Sequence, residues 1–176
     1  MIFRETRLKG AFEIDLERIE DQRGFFARSF CKNELEAQRL KTDIAQCNVS
    51  YNLHKGTLRG MHYQVQPHEE AKLVSCIAGT AFDVIVDLRQ NSPTFMDWLG
   101  VELDAKTNKL LYIPERFAHG FETLRDDTVV CYKMFEFYHP ECARGIRWDD
   151  PAFDIDWPSV PEVISEKDRS YKDFEI

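Results

Sequence analysis

Two stretches of this chain set a histidine and an arginine among glycines: GTLRGMHYQ at residues 56–64 and IPERFAHGF at residues 113–121. Lys72 and Tyr132 lie in neighbouring apolar runs, where an inward-pointing ammonium or phenol needs a reason. Histidine titrates near neutrality and is the natural general base there, above all when a carboxylate fixes its tautomer. Tyrosine can return a proton, and a fixed lysine can stabilise an oxyanion as it forms. The combination of base, acid and cations reads as a proton-transfer site for an anionic substrate. Three carboxylates, Asp83, Asp87 and Asp168, stand open as the partner of His62.

Each residue has an ordinary reading as well. A strand histidine is more often a satisfied core or surface group. A tyrosine between valines is more often a core aromatic, and a strand lysine often guards a sheet edge. What tilts the balance at His62 is its strand face. Gly60, His62 and Gln64 fall on one side by the period of two, too polar a set for plain core and suited to a cavity wall. Arg23, Arg59, Lys72, Arg116 and His119 are the cations that could converge on an anion.

These residues are positioned by a chain that reads as mainly β. Residues 71–78 and 81–88 form apolar runs broken at Gly79. In the second run, Phe82, Val84 and Val86 alternate with Asp83, Ile85 and Asp87, leaving one face polar-leaning. Further strand-like runs fall at 98–103, 109–113, 120–124, 128–137 and 145–148, separated by short turns rich in Gly, Pro, Asn and Asp. Many short strands at near-regular spacing predict an antiparallel sandwich or barrel with jelly-roll topology. One helix is expected at 32–40, with Asn33 as cap and Leu35, Ala37 and Leu40 as its buried stripe. The tail from Pro151 is expected to wrap over the sheets.

With 176 residues and no visible linker or repeat, a single domain over 1–176 is expected. The net charge of −8 argues against a nucleic-acid partner, which usually demands a basic face. No run approaches the ~20 apolar residues of a membrane span, and the first residues lack a signal-peptide core, so a cytoplasmic protein is expected. The five cysteines (Cys31, Cys47, Cys76, Cys131, Cys142) are scattered without a CxxC pair, which speaks against a disulfide framework or zinc site. The His62 and His119 spacing does suit a cupin metal site, but Gln64 and Lys72 stand where further ligands belong. An ammonium does not bind a divalent cation, so no catalytic metal is expected.

The ordered motifs DQRGFF (21–26), QCNVS (46–50), GTLRGMHYQ, EAKLV (70–74), DVIVDLR (83–89), SPTF (92–95), AHGF (118–121), Tyr132-Lys133, Tyr138, RGIRW (144–148) and SEKD (165–168) carry a resemblance over most of the chain. The sequence resembles the dTDP-4-dehydrorhamnose 3,5-epimerase family, cupin-type enzymes of deoxysugar biosynthesis. That resemblance implies a metal-free, cofactor-free homodimer of cupin-like jelly-roll subunits acting on a nucleotide-diphosphate sugar. It implies His62 as the base alpha to a C4 ketone, Asp168 as its orienting carboxylate, Tyr132 as the acid on the opposite face and Lys72 as the enolate's cation. It implies substrate contacts from Arg23, Gln46, Asn48, Arg59, His119 and Lys167, with Tyr138 stacking on the base. The chain departs from the family pattern at Arg28, at Met96-Asp97, at Glu115-Arg116 and at Ala143. A single-centre epimerase on a related keto-sugar nucleotide, and a binding module without turnover, are the alternative readings.

Overall fold

The computed structural model describes residues 1–175; Ile176, which the expected single domain includes, lies outside the described residues. Among the described residues there are fourteen strands and two short helices. One six-stranded sheet runs in the order β1 (Ile2–Glu5), β2 (Phe12–Asp15), β10 (Leu110–Ile113), β7 (Lys72–Ala78), β12 (Thr128–Met134), β5 (Gln46–Asn52). The other runs β13 (Ala143–Gly145), β6 (Thr57–Gln64), β11 (Phe117–Thr123), β8 (Thr80–Asp87), β9 (Trp98–Asp104). Neighbours in both are antiparallel. The short strand β14 (Val163–Ile164) adds in parallel to β6. A separate hairpin pairs β3 (Arg18–Asp21) with β4 (Gly24–Ala27).

The two sheets face each other. Val74, Cys76, Leu111 and Val130 from one meet Ile85, Leu103, Phe117 and Phe121 from the other in a shared buried cluster. The outer face of the first sheet is covered by α1 (Lys32–Ala37), through Leu35 packed on Ile14, Leu73 and Tyr112. The outer face of the second is covered by the tail, whose Phe153, Ile155, Trp157 and Phe174 pack on Met61, Val84 and Val86. The tail therefore wraps as its composition suggested. The result is a mainly β, cupin-like sandwich.

Strand alternation decides which residues look inward. On β8 the inward set is Ala81, Asp83 and Ile85, so the polar-leaning face of this strand turns to the interior rather than to solvent; Asp83 and Asp87 are fully buried. On β7 the inward set is Lys72, Val74 and Cys76, while Leu73 points out under the helix. Between the sheets the filling is apolar along one stretch and polar along another, and the polar stretch is the cavity.

The helix is shorter than its pattern predicts. It stops at Ala37, and Cys31 rather than Asn33 occupies the cap position, with no side-chain capping bond. Leu35 is buried and Leu40 partly so, but Ala37 is exposed. Arg39 sits in the left-handed region at φ 60°, where the helix cannot continue. The AHGF strand begins earlier than its run suggested, at Phe117, and the 128–137 run ends at Met134.

Candidate active site

A cavity of about 700 Å³ opens between the sheets. His62 enters it from β6 and His119 from β11, and the two histidines are direct cross-strand partners. Lys72 enters from β7, Tyr132 from β12, and Gln46, Asn48 and Ser50 from β5. Base and acid candidates thus stand on opposite sheets. The rings of His119 and Tyr132 meet edge-on with centroids 6.0 Å apart.

Close approach of β6 and β11 fixes the histidine wall. Gly60 lies at φ 132°, and a Cβ there would sit 2.5 Å from the Gly120 Cα, so neither strand tolerates a side chain at this crossing. The Gly60 N–H is thereby turned to Asp168, whose Oδ2 accepts it at 3.2 Å. Asp168 Oδ1 accepts from His62 Nε2 at 2.7 Å. Because an ionised carboxylate only accepts, Nε2 carries the proton and Nδ1 keeps the lone pair.

Asp168 comes from the far end of the chain, on α2 (Glu166–Arg169). Ser165 caps that helix, its side-chain oxygen accepting the Asp168 N–H at 3.1 Å. Parallel pairing of β14 on β6 delivers this turn to the cavity. Burial alone would raise the Asp168 carboxyl, but the His62 hydrogen bond and charge, with the Gly60 N–H, outweigh it and hold it below the ordinary carboxylate value. It is thus an anion at neutral pH. Of the three carboxylates the sequence left open, Asp83 instead meets His119 Nε2 at 3.0 Å. Asp87 is taken by Arg89, Ser92 and Thr94 at the other end of β8.

Burial pushes the Tyr132 phenol well above its ordinary value, and the Asp83 charge adds to that; Arg59 and Ser50 oppose it only in part. The hydroxyl keeps its proton across the physiological range, as an acid must. Lys72 Nζ lies 2.8 Å from Glu70 Oε1 and donates to the His62 carbonyl at 3.2 Å. Both members of this ion pair are buried and both line the cavity. Arg59 Nε donates to the buried Asn52 Oδ1 at 2.7 Å, which aims the guanidinium along the cavity wall. Lys167 and Tyr138 also line the cavity, and both stay exposed.

Ten of the eleven site residues expected from the sequence therefore gather here. Arg23 does not join the cavity of its own chain. It sits at the tip of the β3–β4 hairpin, its side chain 90% exposed and paired with Asp21. Arg116, another expected cation, lies outside the cavity and pairs with Glu69 at 3.3 Å. The departures at Arg28 and Glu115 are outside as well, bound to Glu34 and Lys41, whereas Ala143 lines the wall. Sequence reasoning missed Glu70, Asn52, Ser165 and Tyr171, whose ring meets that of His62 edge-on at 6.2 Å. Glu70 and Ser165 sit inside motifs that were legible. Tyr171 gave no signal beyond its type.

The profile of the family described as dTDP-4-dehydrorhamnose 3,5-epimerase matches residues 5–175. A dTDP-4-dehydrorhamnose 3,5-epimerase of Methanothermobacter thermautotrophicus is 44% identical over 173 residues, 97% of this chain and 92% of its own. The crystal structure of the Bacillus anthracis enzyme with TDP and pyrophosphate bound superposes with a TM-score of 0.95 at 39% identity, covering 98% of this chain and 99% of that one. The Legionella pneumophila enzyme in complex with dTDP-4-keto-L-rhamnose superposes with a TM-score of 0.91 at 39% identity, covering 98% and 92%. The cavity, with its histidine–carboxylate pair opposite a protonated tyrosine, is thus found in a chain that belongs to the dTDP-4-dehydrorhamnose 3,5-epimerase family.

Proposed function

We propose that this isomerase inverts C3 and C5 of a nucleotide-linked 4-keto-6-deoxyhexose, most simply converting dTDP-4-dehydro-6-deoxy-D-glucose to dTDP-4-dehydro-L-rhamnose. What carries the reading is the His62–Asp168 pair and the Tyr132 phenol entering one cavity from facing sheets. His62 Nδ1 takes the proton from the carbon next to the ketone, and the C–H electron pair moves into a C4 enolate. Asp168 holds the tautomer and stabilises the imidazolium that forms. Lys72 stabilises the enolate oxygen, with His119 alongside. Tyr132 delivers a proton to the opposite face, which inverts the centre. Both groups then exchange protons with solvent, so no redox partner is consumed and no metal or cofactor is invoked.

Arg59 and Lys167 supply charge for the diphosphate, Gln46 and Asn48 hydrogen-bond the substrate, and Tyr138 stacks on the base. Arg23 serves the site of a second copy in a homodimer of single-domain jelly-roll subunits. Support for that assembly comes from β5, an edge strand whose outer face exposes Val49 and Tyr51, and from the exposed Phe25 and Phe26 of the hairpin. Five free thiols suit a reducing cytoplasm.

Turnover in D2O tests the reading. Deuterium entering the sugar at C3 and C5 of dTDP-4-keto-6-deoxyglucose supports it, and label at one carbon assigns a single-centre epimerase. Tight binding without exchange would make the chain a binding module for that substrate.

A further inference from the structure

Outside the catalytic cavity, two loops cross beside Tyr138. One follows β6 and carries His68; the other follows β12 and carries Glu136 and His139. Gln64 rivets them together. Its amide nitrogen donates to the carbonyls of His68 at 2.9 Å and Phe137 at 3.0 Å, and its oxygen accepts the His139 N–H at 2.6 Å. Held this way, the two imidazoles lie face to face with centroids 3.3 Å apart and planes within 7°. A direct face-to-face stack is the least favoured arrangement of two rings, so the loops, not ring attraction, impose it. Glu136 Oε2 stands 3.8 Å from His68 Nδ1.

We propose that His68, Glu136 and His139 form a binding site for one divalent transition-metal ion, which clamps the two loops at the mouth of the cavity. One ligand atom from each of the three residues lies within 4.8 Å of the others. Bonds of about 2.0–2.1 Å in a tetrahedral site place ligand atoms roughly 3.3 Å apart, so the stacked rings must each splay by roughly 50° to aim their lone pairs at one ion. The side chains are only partly buried, at 32% exposure for His68, 27% for Glu136 and 28% for His139, and have room for that rotation. Glu141 Oε1 lies 3.1 Å from His139 Nδ1. An outer carboxylate of this kind fixes the tautomer and leaves Nε2 as the ligand. Two imidazoles and one carboxylate select zinc, cobalt, nickel or copper over magnesium and calcium. Three protein ligands leave a fourth position for water.

Cobalt(II) titration of the purified full chain tests this. One equivalent should bind with the visible bands of a nitrogen- and oxygen-ligated site, and the wild-type His68 and His139 imidazole proton resonances should shift paramagnetically. His68→Ala and His139→Ala should each weaken binding at least ~10-fold. The resonance shifts need no variant, so a poorly folding substitution leaves the test intact. Absence of cobalt uptake, unchanged affinity in the double variant, or thiolate charge-transfer bands would each overturn the assignment.

Discussion

Replacing Asp168 with asparagine isolates what the carboxylate does for His62. In the native site Oδ2 accepts the Gly60 N–H at 3.2 Å and Oδ1 accepts His62 Nε2 at 2.7 Å. The asparagine oxygen is claimed by the Gly60 N–H, which turns the amide NH2 toward Nε2. Two donors then face each other unless the imidazole moves its proton to Nδ1, the atom proposed to act as base. The alternative amide orientation orphans the buried Gly60 N–H at a cost of about 1–3 kcal/mol. Loss of the charged partner removes a further 1.5–3 kcal/mol or so of imidazolium stabilisation. Together, about 2.5–6 kcal/mol corresponds to a fall in kcat of roughly a hundred- to ten-thousand-fold. Steady-state epimerisation followed by proton NMR reads the rate, and nitrogen-15 spectra of the histidine ring read the tautomer. A variant within about fivefold of the native rate, or with the native tautomer intact, refutes the positioning role.

Tyr132→Phe should keep proton exchange at the carbon that His62 addresses while net inversion falls about 10²- to 10⁴-fold; inversion at the native rate removes Tyr132 as the acid. Lys72→Met should slow turnover by roughly 10²- to 10³-fold. Because it also strands the buried Glu70, it should cost ~3–5 kcal/mol of stability. Adding Glu70→Gln should restore most of the stability without the rate, and recovery of both in a denaturant and kinetic comparison contradicts the enolate role. Asp87→Asn should destabilise the fold by about 2–4 kcal/mol without touching the cavity, since its carboxylate holds Arg89, Ser92 and Thr94. Burial would raise the Asp87 carboxyl, but those partners hold it below its ordinary value. Its contribution is full above the unfolded aspartate range near ~3.9 and is lost as pH falls through the lower folded value. Urea melts of native and variant chains should converge below that range; a gap that widens in acid contradicts the assignment.

Much of this site is readable because strand chemistry is local. The period of two brings His62 and Gln64 to the cavity wall, although an irregular register between Arg59 and His62 breaks the alternation and brings Arg59 there in place of Gly60. The burial of Lys72 on β7 follows from Val74 and Cys76 beside it. What local pattern cannot supply is the partner of each group. Asp83, Asp87 and Asp168 are equivalent by composition. The pairing of β14 on β6 at Val163–Thr57 and Ile164–Leu58 selects the last of them, by carrying Asp168 to His62 across 106 residues of sequence. The family motifs carry that information through the SEKD segment, which local periodicity does not interpret. Arg116 illustrates the opposite failure: its neighbour motif reaches the cavity at His119, but the turn that holds it at φ 65° points it to Glu69. The helix end at Ala37 was missed because Leu40 reaches the same apolar cluster from outside the helix.

In the proposed reaction His62, with Asp168 behind it and Tyr132 opposite, moves protons at carbons flanking a C4 ketone. Position-resolved solvent deuterium incorporation into dTDP-4-keto-6-deoxyglucose, native chain against His62→Ala, tests this most directly. Label is expected at both C3 and C5 with the native chain and is lost in the variant. Full exchange in the His62→Ala chain would contradict this role for His62.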